Sequence, residues 1–258
     1  MSPTGLPVVT VTRYVTPLRE GGSLPGVVEG DDLGTYVCKF RGAGQGAKVL
    51  VAEVIVSQLA TRLGLRTPRL VVLDLDLELA RYEADEEVQD LLNASPGANL
   101  GIDFLPGAFG VDGQVGSADD EGARVLWLDA FTANVDRSWR NPNLLLWHGD
   151  LWVIDHGAAL YFHHGWRSGV TDPATFADQP WDVTGHVFEA CADRARQLDE
   201  EITASLDHDV LTGVLAEVPD VWLEPLPGAE SPDALRAAYV DFLSARLGTR
   251  QWLPGGGR

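Results

Sequence analysis

Hydrophobic and polar positions alternate early in the chain. Residues 8–14 (VVTVTRY) alternate and are rich in β-branched side chains, and residues 35–40 (TYVCKF) form a second short run of this kind, so both predict strands. Residues 47–63 then carry apolar side chains at helical spacing, and the following Gly64 is a plausible stop. The next run, RLVVLDLDLEL, predicts another strand, and the acidic RYEADEEVQDLL after it is expected to be a solvated helix.

The pattern changes after about residue 100. ANLGIDFLPG predicts a strand that ends at a Pro-Gly turn, residues 121–134 have helical spacing, and NLLLW and LWVID flank a short HGD loop, as in a hairpin. From residue 172 onward the spacing predicts helices only, most clearly over residues 231–248, which begin at a serine N-cap and stop at a glycine. We therefore expect an α+β protein of two lobes, strand-rich over residues 1–105 and mainly helical over residues 106–258.

The charge of the chain is strongly negative and uneven. The formal net charge is −19; residues 1–70 carry 8 basic and 5 acidic side chains, whereas residues 71–135 carry 2 and 14. Such a field repels phosphate backbones and anionic lipids, so we expect neither a nucleic acid nor a membrane as partner. A solubilising acidic shell is favoured over a docking face for a basic protein, and the mildly basic first third tolerates an anionic ligand best.

The sequence lacks the patterns that predict a membrane span, a secretory signal or a disulfide framework. The sequence has no run of about 18 apolar residues that would predict a membrane span, and its N-terminus lacks the basic-then-apolar pattern of a secretory signal. Cys38 and Cys191 are far apart in the sequence and do not imply a disulfide framework. We expect a soluble protein of the cytoplasm.

A carboxylate interrupts the apolar face of the first predicted helix. Glu53 lies at the edge of the stripe formed by Val49, Val56 and Ala60, where a charge is costly unless it is paired. The nearest cation in a predicted strand is Lys39, and a strand lysine held by a helix glutamate can position the phosphates of a nucleotide. The alternative is that Glu53 extends to solvent at the rim of the stripe.

Polar side chains bracket the predicted hairpin. Asn141 precedes its first strand and Asp155 ends its second, so the hairpin is expected to bring the two together. Oxygen ligands of this kind suit Mg²⁺ that carries substrate phosphates. Asp136 lies one loop further out, where it could accept a proton from an attacking hydroxyl. Singly, each residue also fits an ordinary turn or strand end, and Asn143 competes with Asn141 as ligand.

The order of these residues resembles the protein-kinase-like fold, and most closely the HipA-like kinases and their phosphoinositide-kinase-like relatives. The shared pattern is Lys, Glu, Asp-x-x-x-x-Asn and Asp-x-Gly over residues 39–157. The resemblance implies an ATP-dependent phosphotransferase in which Asp136 is the catalytic base and Asn141 and Asp155 hold Mg²⁺. Lys39 would bind the α- and β-phosphates.

The resemblance assigns further roles in the first lobe. Glu53 would hold the phosphate-binding lysine, and the backbone around Phe104 and Leu105, in GIDFLPG, would meet the adenine. Gly22 and Ser23, in the turn EGGS, are the candidates for covering the phosphates. Among acceptors, the resemblance favours a serine or threonine of a protein over the hydroxyl of a small molecule, and a separate regulatory protein could control the enzyme.

Several positions depart from the pattern of ordinary protein kinases. The chain has Asn134-Val135-Asp136 in place of His-Arg-Asp and Asp155-His156-Gly157 in place of Asp-Phe-Gly, and no Gly-x-Gly-x-x-Gly precedes Lys39. A non-catalytic, nucleotide-binding regulatory domain of the pseudokinase type is therefore the main alternative. Arg137 or Arg140 could balance charge at the transferred phosphoryl group.

Two other classes of enzyme fit parts of the sequence. A dinucleotide-binding unit is outlined by a strand, a glycine-rich turn (residues 42–46), a helix and a strand ending in acids. However, Asp74 lies further from the glycines than is usual for such a unit. A metal hydrolase could use Asp155 with His156, His163 and His164, but adjacent histidines on a helix or strand are expected to point apart.

Overall fold

The structure is a computed structural model that describes residues 5–18, 24–44, 46–111 and 119–254. Two compact units make up these residues. The first contains the described residues up to Val51 together with Pro68–Pro106, and the second contains Ala52–Thr67 and the described residues from Gly107 onward. Gly22 and Ser23 lie outside the described residues. Within the described ranges, no helix combines the length and apolar character needed to cross a membrane.

The strands of the first unit form a closed barrel in the order β1-β2-β3-β5-β4. All neighbours are antiparallel except β1 and β4, which run parallel through residues 8–10 and 72–74. Strand β1 pairs with β4 through its first three residues and with β2 from Val11 onward, and two register shifts let it bend between these partners. The strands are β1 (Val8–Pro17), β2 (Gly26–Gly30), β3 (Thr35–Lys39), β4 (Leu70–Leu75) and β5 (Gly97–Asp103).

Alternating side chains fill the barrel. One apolar cluster joins inward-facing residues of the strands to helix α2 (Glu86–Asn93), which contributes Val88 and Leu92. The prediction of a solvated helix is therefore correct for its polar face, which is exposed, and wrong for these two side chains, which are buried. Asp85 caps its N-terminus by accepting from the amides of Glu87 and Val88. A 3-10 turn, Leu77–Tyr82, precedes it.

Helix α1 (Ala47–Arg62) confirms the predicted helix, but its burial is wider than the predicted stripe. Every residue from 50 to 57 is buried, because valine, isoleucine and alanine occupy positions off the stripe as well as on it. Glu53 is only 1% exposed, so its carboxylate does not extend to solvent at a rim. The helix contributes Ala47–Val51 to the first unit and Ala52–Arg62 to the second. The division of the chain into domains at residue 105 remains a proposal.

The second unit is mainly helical, as predicted for an α+β chain of this order. A small antiparallel sheet joins β6 (Phe109–Gly110), β7 (Leu144–Trp147) and β8 (Asp150–Val153). The helices are α3 (Asp120–Thr132), α4 (Ala174–Ala177), α5 (Ala192–Ala204), α6 (His208–Ala216) and α7 (Pro232–Leu247), with 3-10 turns at Tyr161–Ser168, Glu189–Cys191 and Asp220–Trp222.

The predicted hairpin is present and tighter than expected. Trp147 pairs with Asp150, so the loop has two residues, His148 and Gly149, rather than the three of HGD. Both have positive φ, 54° and 87°, which is the backbone of a type I′ turn. The backbone twist of a type I′ turn matches the twist of the two strands that it joins.

Helix α7 ends as the sequence predicts and also anchors the unit. Ser231 Oγ accepts from the amide of Ala234 at 3.2 Å, and Gly248 ends the helix. The buried guanidinium of Arg246 donates to the carbonyls of Phe176, Gln179 and Ala130. It therefore joins α7 to the end of α4 and to α3.

Candidate active site

The segment after α3 is fixed by one buried asparagine. Ala133 adopts a left-handed conformation (φ 52°) that ends the helix and turns the chain into the loop of residues 134–143. Asn134 Nδ2 donates to Asp129 Oδ1 at 2.9 Å, and Asn134 Oδ1 accepts from the amide of Asp136 at 3.0 Å. The backbone of Asp136 is thus tied through one side chain to a carboxylate in the helix.

Two amides converge on the carboxylate of Asp136. Asn141 Nδ2 donates to Asp136 Oδ2 at 2.8 Å, and Asn143 Nδ2 donates to the same oxygen at 3.2 Å. Asn143 has φ of 50°, a conformation that asparagine tolerates better than most residues. Asp136 and Asn141 are therefore in direct contact, with Asn143 beside them. The sequence predicted Asn141 beside Asp155 and placed Asp136 one loop further out. Because Asn141 uses its nitrogen here, its Oδ1 is the atom with which it can bind a cation.

Arg137 does not take the role proposed for it at the phosphoryl group, because its side chain is fully buried. Its Nε donates to Asp129 Oδ2 at 2.6 Å, and its Nη1 lies 2.5 Å from the carbonyl of Asn143 and 3.3 Å from that of Ile154. Nη1 also donates to the carbonyl of Pro142 at 3.1 Å, and Nη2 lies 3.3 Å from Nδ1 of His156. Arg137 therefore joins α3, the loop and the segment after the hairpin. Arg140 is exposed and stacks over Trp139, 4.4 Å from its ring centre.

Asp129 is the anion at the centre of this network. Burial alone raises the pKa of its carboxyl, but the guanidinium of Arg137 and the hydrogen bond from His186 outweigh that effect and lower the pKa to about 2. His186 Nδ1 accepts from the amide of Phe188 at 3.1 Å, so its Nε2 carries the proton donated to Asp129 Oδ2, also at 3.1 Å. The ring can do this as a neutral imidazole, and the charges of Asp129 and Arg137 balance each other.

Asp155 follows the last strand of the hairpin. The amide of Ile154 donates to the carbonyl of Asn143 at 3.1 Å, and Asp155 then takes a left-handed conformation (φ 55°) before the buried His156. Both chain neighbours of Asp155 contact Arg137, which directly follows Asp136. Arg137 thus connects the segment that carries Asp155 to the loop that carries Asp136 and Asn141. Non-glycine residues rarely adopt a left-handed conformation, and the few that do are concentrated at functional sites.

Three residues predicted for nucleotide binding, Lys39, Phe104 and Leu105, lie at or just after the ends of strands. Lys39 ends β3, pairs with Leu100 of β5 and is 9% exposed. Phe104 donates its amide to the carbonyl of Thr35 at 3.0 Å and is 41% exposed, while Leu105 is half-buried. Lys39 belongs to the first unit and Glu53 to the second. Both are buried charges, which a fold retains only when they are compensated.

Two members of the site, Asp129 and His186, were not predicted from the sequence. Asp129 was detectable by the same signal that identified Glu53, since it is a lone carboxylate in the apolar helix VLWLDAFT. His186 carries no comparable signal, because it lies 57 positions from Asp129 in a polar segment.

The structure removes the basis of the dinucleotide-binding alternative. That unit needs two parallel neighbouring strands around its helix. Here β3 pairs with β2 and β5, and every one of these pairings is antiparallel. The glycine-rich turn therefore does not sit at the edge of a parallel sheet.

The histidines proposed for a metal hydrolase have other contacts. His156 lies against Arg137, and His163 Nδ1 lies 2.9 Å from the hydroxyl of Tyr239. The Nε2 atoms of His163 and His164 are 3.2 Å apart, contrary to expectation, because the two residues lie in a 3-10 turn. Among the described residues, no three His, Cys, Asp or Glu side chains gather as a metal cluster.

Comparisons with known proteins point to one class. A model of the HipA-like kinase family matches residues 11–246. A solved structure of the proinflammatory kinase CtkA of Helicobacter pylori is 11% identical, with a TM-score of 0.50 over 93% of this chain and 98% of that chain. The likeness to CtkA confirms the predicted protein-kinase-like fold.

The chain is also similar to solved structures of the Golgi casein kinase. One structure of it is 14% identical with a TM-score of 0.36, covering 98% of this chain and 74% of that chain. A second, with Mn and ADP bound, is 13% identical with a TM-score of 0.38, covering 99% and 75%. No curated protein matches the sequence.

Proposed function

This chain belongs to the HipA-like kinase family, and from that membership we propose that it transfers the γ-phosphoryl group of ATP, with Mg²⁺, to the hydroxyl of a protein serine or threonine. It is a phosphotransferase of the kinase class. The nucleotide, the metal and the acceptor are the proposed part. A hydroxyl of a small molecule is the second candidate for the acceptor.

One observation carries the proposal: Asn141 Nδ2 donates to Asp136 Oδ2 at 2.8 Å. Kinase chemistry consists mainly of positioning and charge stabilisation around a carboxylate base and a metal-binding amide. We propose that Asp136 accepts the proton of the acceptor hydroxyl on the oxygen turned away from the amides. The bonds from Asn141 and Asn143 hold the carboxylate in orientation while it does so.

The chain also offers donors of the right type for Mg²⁺. This ion prefers oxygen ligands, and we assign Asn141 Oδ1 and the carboxylate of Asp155 to it. The left-handed backbone of Asp155, held between two neighbours that contact Arg137, supports this role. When bound, ATP supplies the phosphoryl group, and Mg²⁺ supplies the positive charge that offsets the charge of the phosphate oxygens. The residues of the chain contribute orientation and proton acceptance.

The remaining roles follow from family membership. We propose that Lys39 binds the α- and β-phosphates and that Glu53 pairs with Lys39, a pairing that the deep burial of both charges supports. The carbonyl of Phe104 and the amide of Leu105 are proposed to meet the adenine, since the amide of Phe104 already donates to Thr35. Gly22 and Ser23 are proposed to cover the phosphates.

The setting of the enzyme is likewise proposed. Cys38 and Cys191 are both buried and neither is in a disulfide, which fits the reducing cytoplasm. A net charge of −19 disfavours a nucleic acid or a lipid surface as acceptor and leaves a protein as the main candidate, with a regulatory protein as a further partner.

Two substitutions test the proposed site. Purified protein with labelled ATP and Mg²⁺ should transfer phosphate to protein hydroxyls. Asp136→Ala should lower turnover by roughly 10²–10⁴-fold, the value of a lost general base, with nucleotide binding nearly intact. Asp155→Ala should instead weaken Mg²⁺-dependent nucleotide binding. Unchanged turnover in both variants would sink the proposal. ATP that stabilises the parent without being consumed would support the non-catalytic alternative.

The pairing of Lys39 with Glu53 needs its own test. A double-mutant cycle with Lys39→Met and Glu53→Gln, read as the affinity for ATP, should show coupling well above 0.5 kcal/mol if the two side chains interact (an order-of-magnitude threshold). Additive effects would separate Glu53 from the phosphate-binding role.

A further inference from the structure

A cavity of about 350 Å³ lies in the second unit beside the loop that carries Asp136. Loop residues form one side, and the segment 179–186 with the 3-10 turn after Leu160 forms the other. Its size is within the range of about 300–1,000 Å³ typical of ligand sites. Val135, Tyr161, Phe162, Trp181 and Asp182 are among the residues that line it.

The wall of the cavity is fastened to the loop at several points. Trp181 Nε1 donates to the carbonyl of Asn134 at 2.8 Å, and the amide of Trp139 donates to the carbonyl of Gly185 at 3.1 Å. Ser138 and His186 form an isolated bridge between the two segments, and His186 contacts Asp129. The cavity and Asp136 are therefore held by the same framework.

The cavity is also close to the proposed base along the chain. Val135 and Arg137 line it, and the Cα atoms of both lie about 3.8 Å from that of Asp136, as across any trans peptide. An extended chain advances about 3.3 Å per residue. A peptide with its hydroxyl at Asp136 would thus reach the cavity with a side chain about two residues away.

The lining is suited to a cation. Tyr161, Phe162 and Trp181 all line the cavity. Tyr161 is 64% exposed, so its ring is accessible to a guanidinium or an ammonium, whereas the ring of Phe162 packs against Phe176 and Phe242. Arg137 and His186 line the cavity too, but both are buried against Asp129, which leaves Asp182 as the exposed charge among the described lining residues. The amide of Thr184 donates to Asp182 Oδ1 at 2.9 Å and lowers the pKa of this carboxyl, so it is ionised at neutral pH.

We propose that this cavity binds an arginine or lysine side chain of the protein acceptor, about two residues from the hydroxyl that receives the phosphate. The inference rests on the proposed function, since it places that hydroxyl at Asp136. Arg140, stacked on Trp139 outside the cavity, adds a positive charge nearby and favours acceptors with a single cation at this position over strongly basic runs.

Short fluorescent peptides test the cavity by binding. Each contains one serine and one arginine, and the arginine stands either two residues from the serine or at the far end. Because both peptides have the same charge, general attraction to an acidic protein cancels. Fluorescence anisotropy in the presence of the unreactive nucleotide ADP and Mg²⁺ should show tighter binding of the near peptide, by about fivefold for a partly exposed ion pair.

Two variants locate the effect. Asp182→Asn keeps the acceptor for the amide of Thr184 and removes the charge, so the preference for the near peptide should vanish. Asp178→Asn removes an exposed charge four positions earlier, outside the lining, and should leave the preference intact. Equal binding of both peptides to the parent, or a preference that survives Asp182→Asn, would overturn the inference.

Transfer to the same peptides separates this inference from the proposed function. Phosphate on both peptides without a preference would contradict the cavity and support the kinase. A binding preference without transfer to any hydroxyl would contradict the proposed activity while the cation site stands.

Discussion

Arg137 Nε lies 2.6 Å from Asp129 Oδ2, and both side chains are fully buried. Through this pair, helix α3 sets the position of the loop that carries Asp136. The guanidinium also reaches the carbonyls of Asn143 and Ile154, so the same residue holds both ends of the hairpin. The pair is therefore a positioning device behind the proposed catalytic groups.

Arg137→Lys should damage this framework although it keeps the charge. A lysine can pair with Asp129 but lacks the planar fork that donates to several carbonyls at once. We expect the free energy of unfolding to fall by about 2–4 kcal/mol, and the turnover of the folded fraction to fall as well. Urea denaturation and phosphotransfer assays measure the two effects. Arg140→Lys, at an exposed site, is the matched control and should stay within about 0.5 kcal/mol of the parent. Equal stability of both variants would contradict the structural role of Arg137.

Asp129 should make the free energy of unfolding depend on pH only under acidic conditions. Its pKa is about 2 in the folded protein against 3.8 ordinarily, so its contribution is fully present above pH 3.8 and is lost as the pH falls through 2. The depressed pKa corresponds to about 2 kcal/mol. The difference in unfolding free energy between the parent and Asp129→Asn should be constant from neutral pH down to the ordinary value and shrink below it. A difference that already shrinks well above pH 3.8 would contradict the assignment to Asp129.

Asn141 and Asn143 should differ in their effect on the metal. Both donate to Asp136, but only Asn141 is proposed to bind Mg²⁺. Asn141→Ala should raise the Mg²⁺ concentration for half-maximal activity about tenfold or more. Asn143→Gly, which tolerates the left-handed backbone at that position, should leave the Mg²⁺ dependence close to that of the parent. The reverse order of effects would exchange the assignments of the two asparagines.

Gly101 tests the packing of the barrel. A Cβ at this position of β5 would lie 2.6 Å from Cγ2 of Val71 and 2.7 Å from Cγ of Leu73. Gly101→Ala should therefore destabilise the protein by about 1–3 kcal/mol, as expected for overpacking. Thermal unfolding measures the change. At Gly44 a Cβ would meet nothing within 4 Å, so Gly44→Ala should be nearly neutral, and a comparable loss there would contradict the packing argument.

The sequence predicted features that depend on local pattern. Helix α7 and the hairpin follow from caps, periodicity and turn residues, whereas the direct contact of Asp136 with Asn141 was not predicted. The parallel pairing of β1 with β4 was not predictable, because it depends on closure between segments about 60 residues apart. The role of Arg137 was misjudged for a similar reason.

Arginine is usually exposed, so the burial of Arg137 was not expected. Only the position of α3 shows that Asp129 is placed to pair with Arg137. The contact of His186 with Asp129 also joins residues distant in sequence. Short-range patterns therefore identified the residues proposed for chemistry, whereas the residues that orient them are fixed by tertiary packing.

The ring of strands in the first unit is completed by only three residues, Val8, Val9 and Thr10. If a shortened chain began at Val11, β4 would lose its parallel neighbour and expose unpaired amide and carbonyl groups along Val72–Asp74. Unprotected strand borders of this kind recruit strands from other molecules. These three residues thus protect the protein against self-association, and truncations that remove them carry a risk of aggregation.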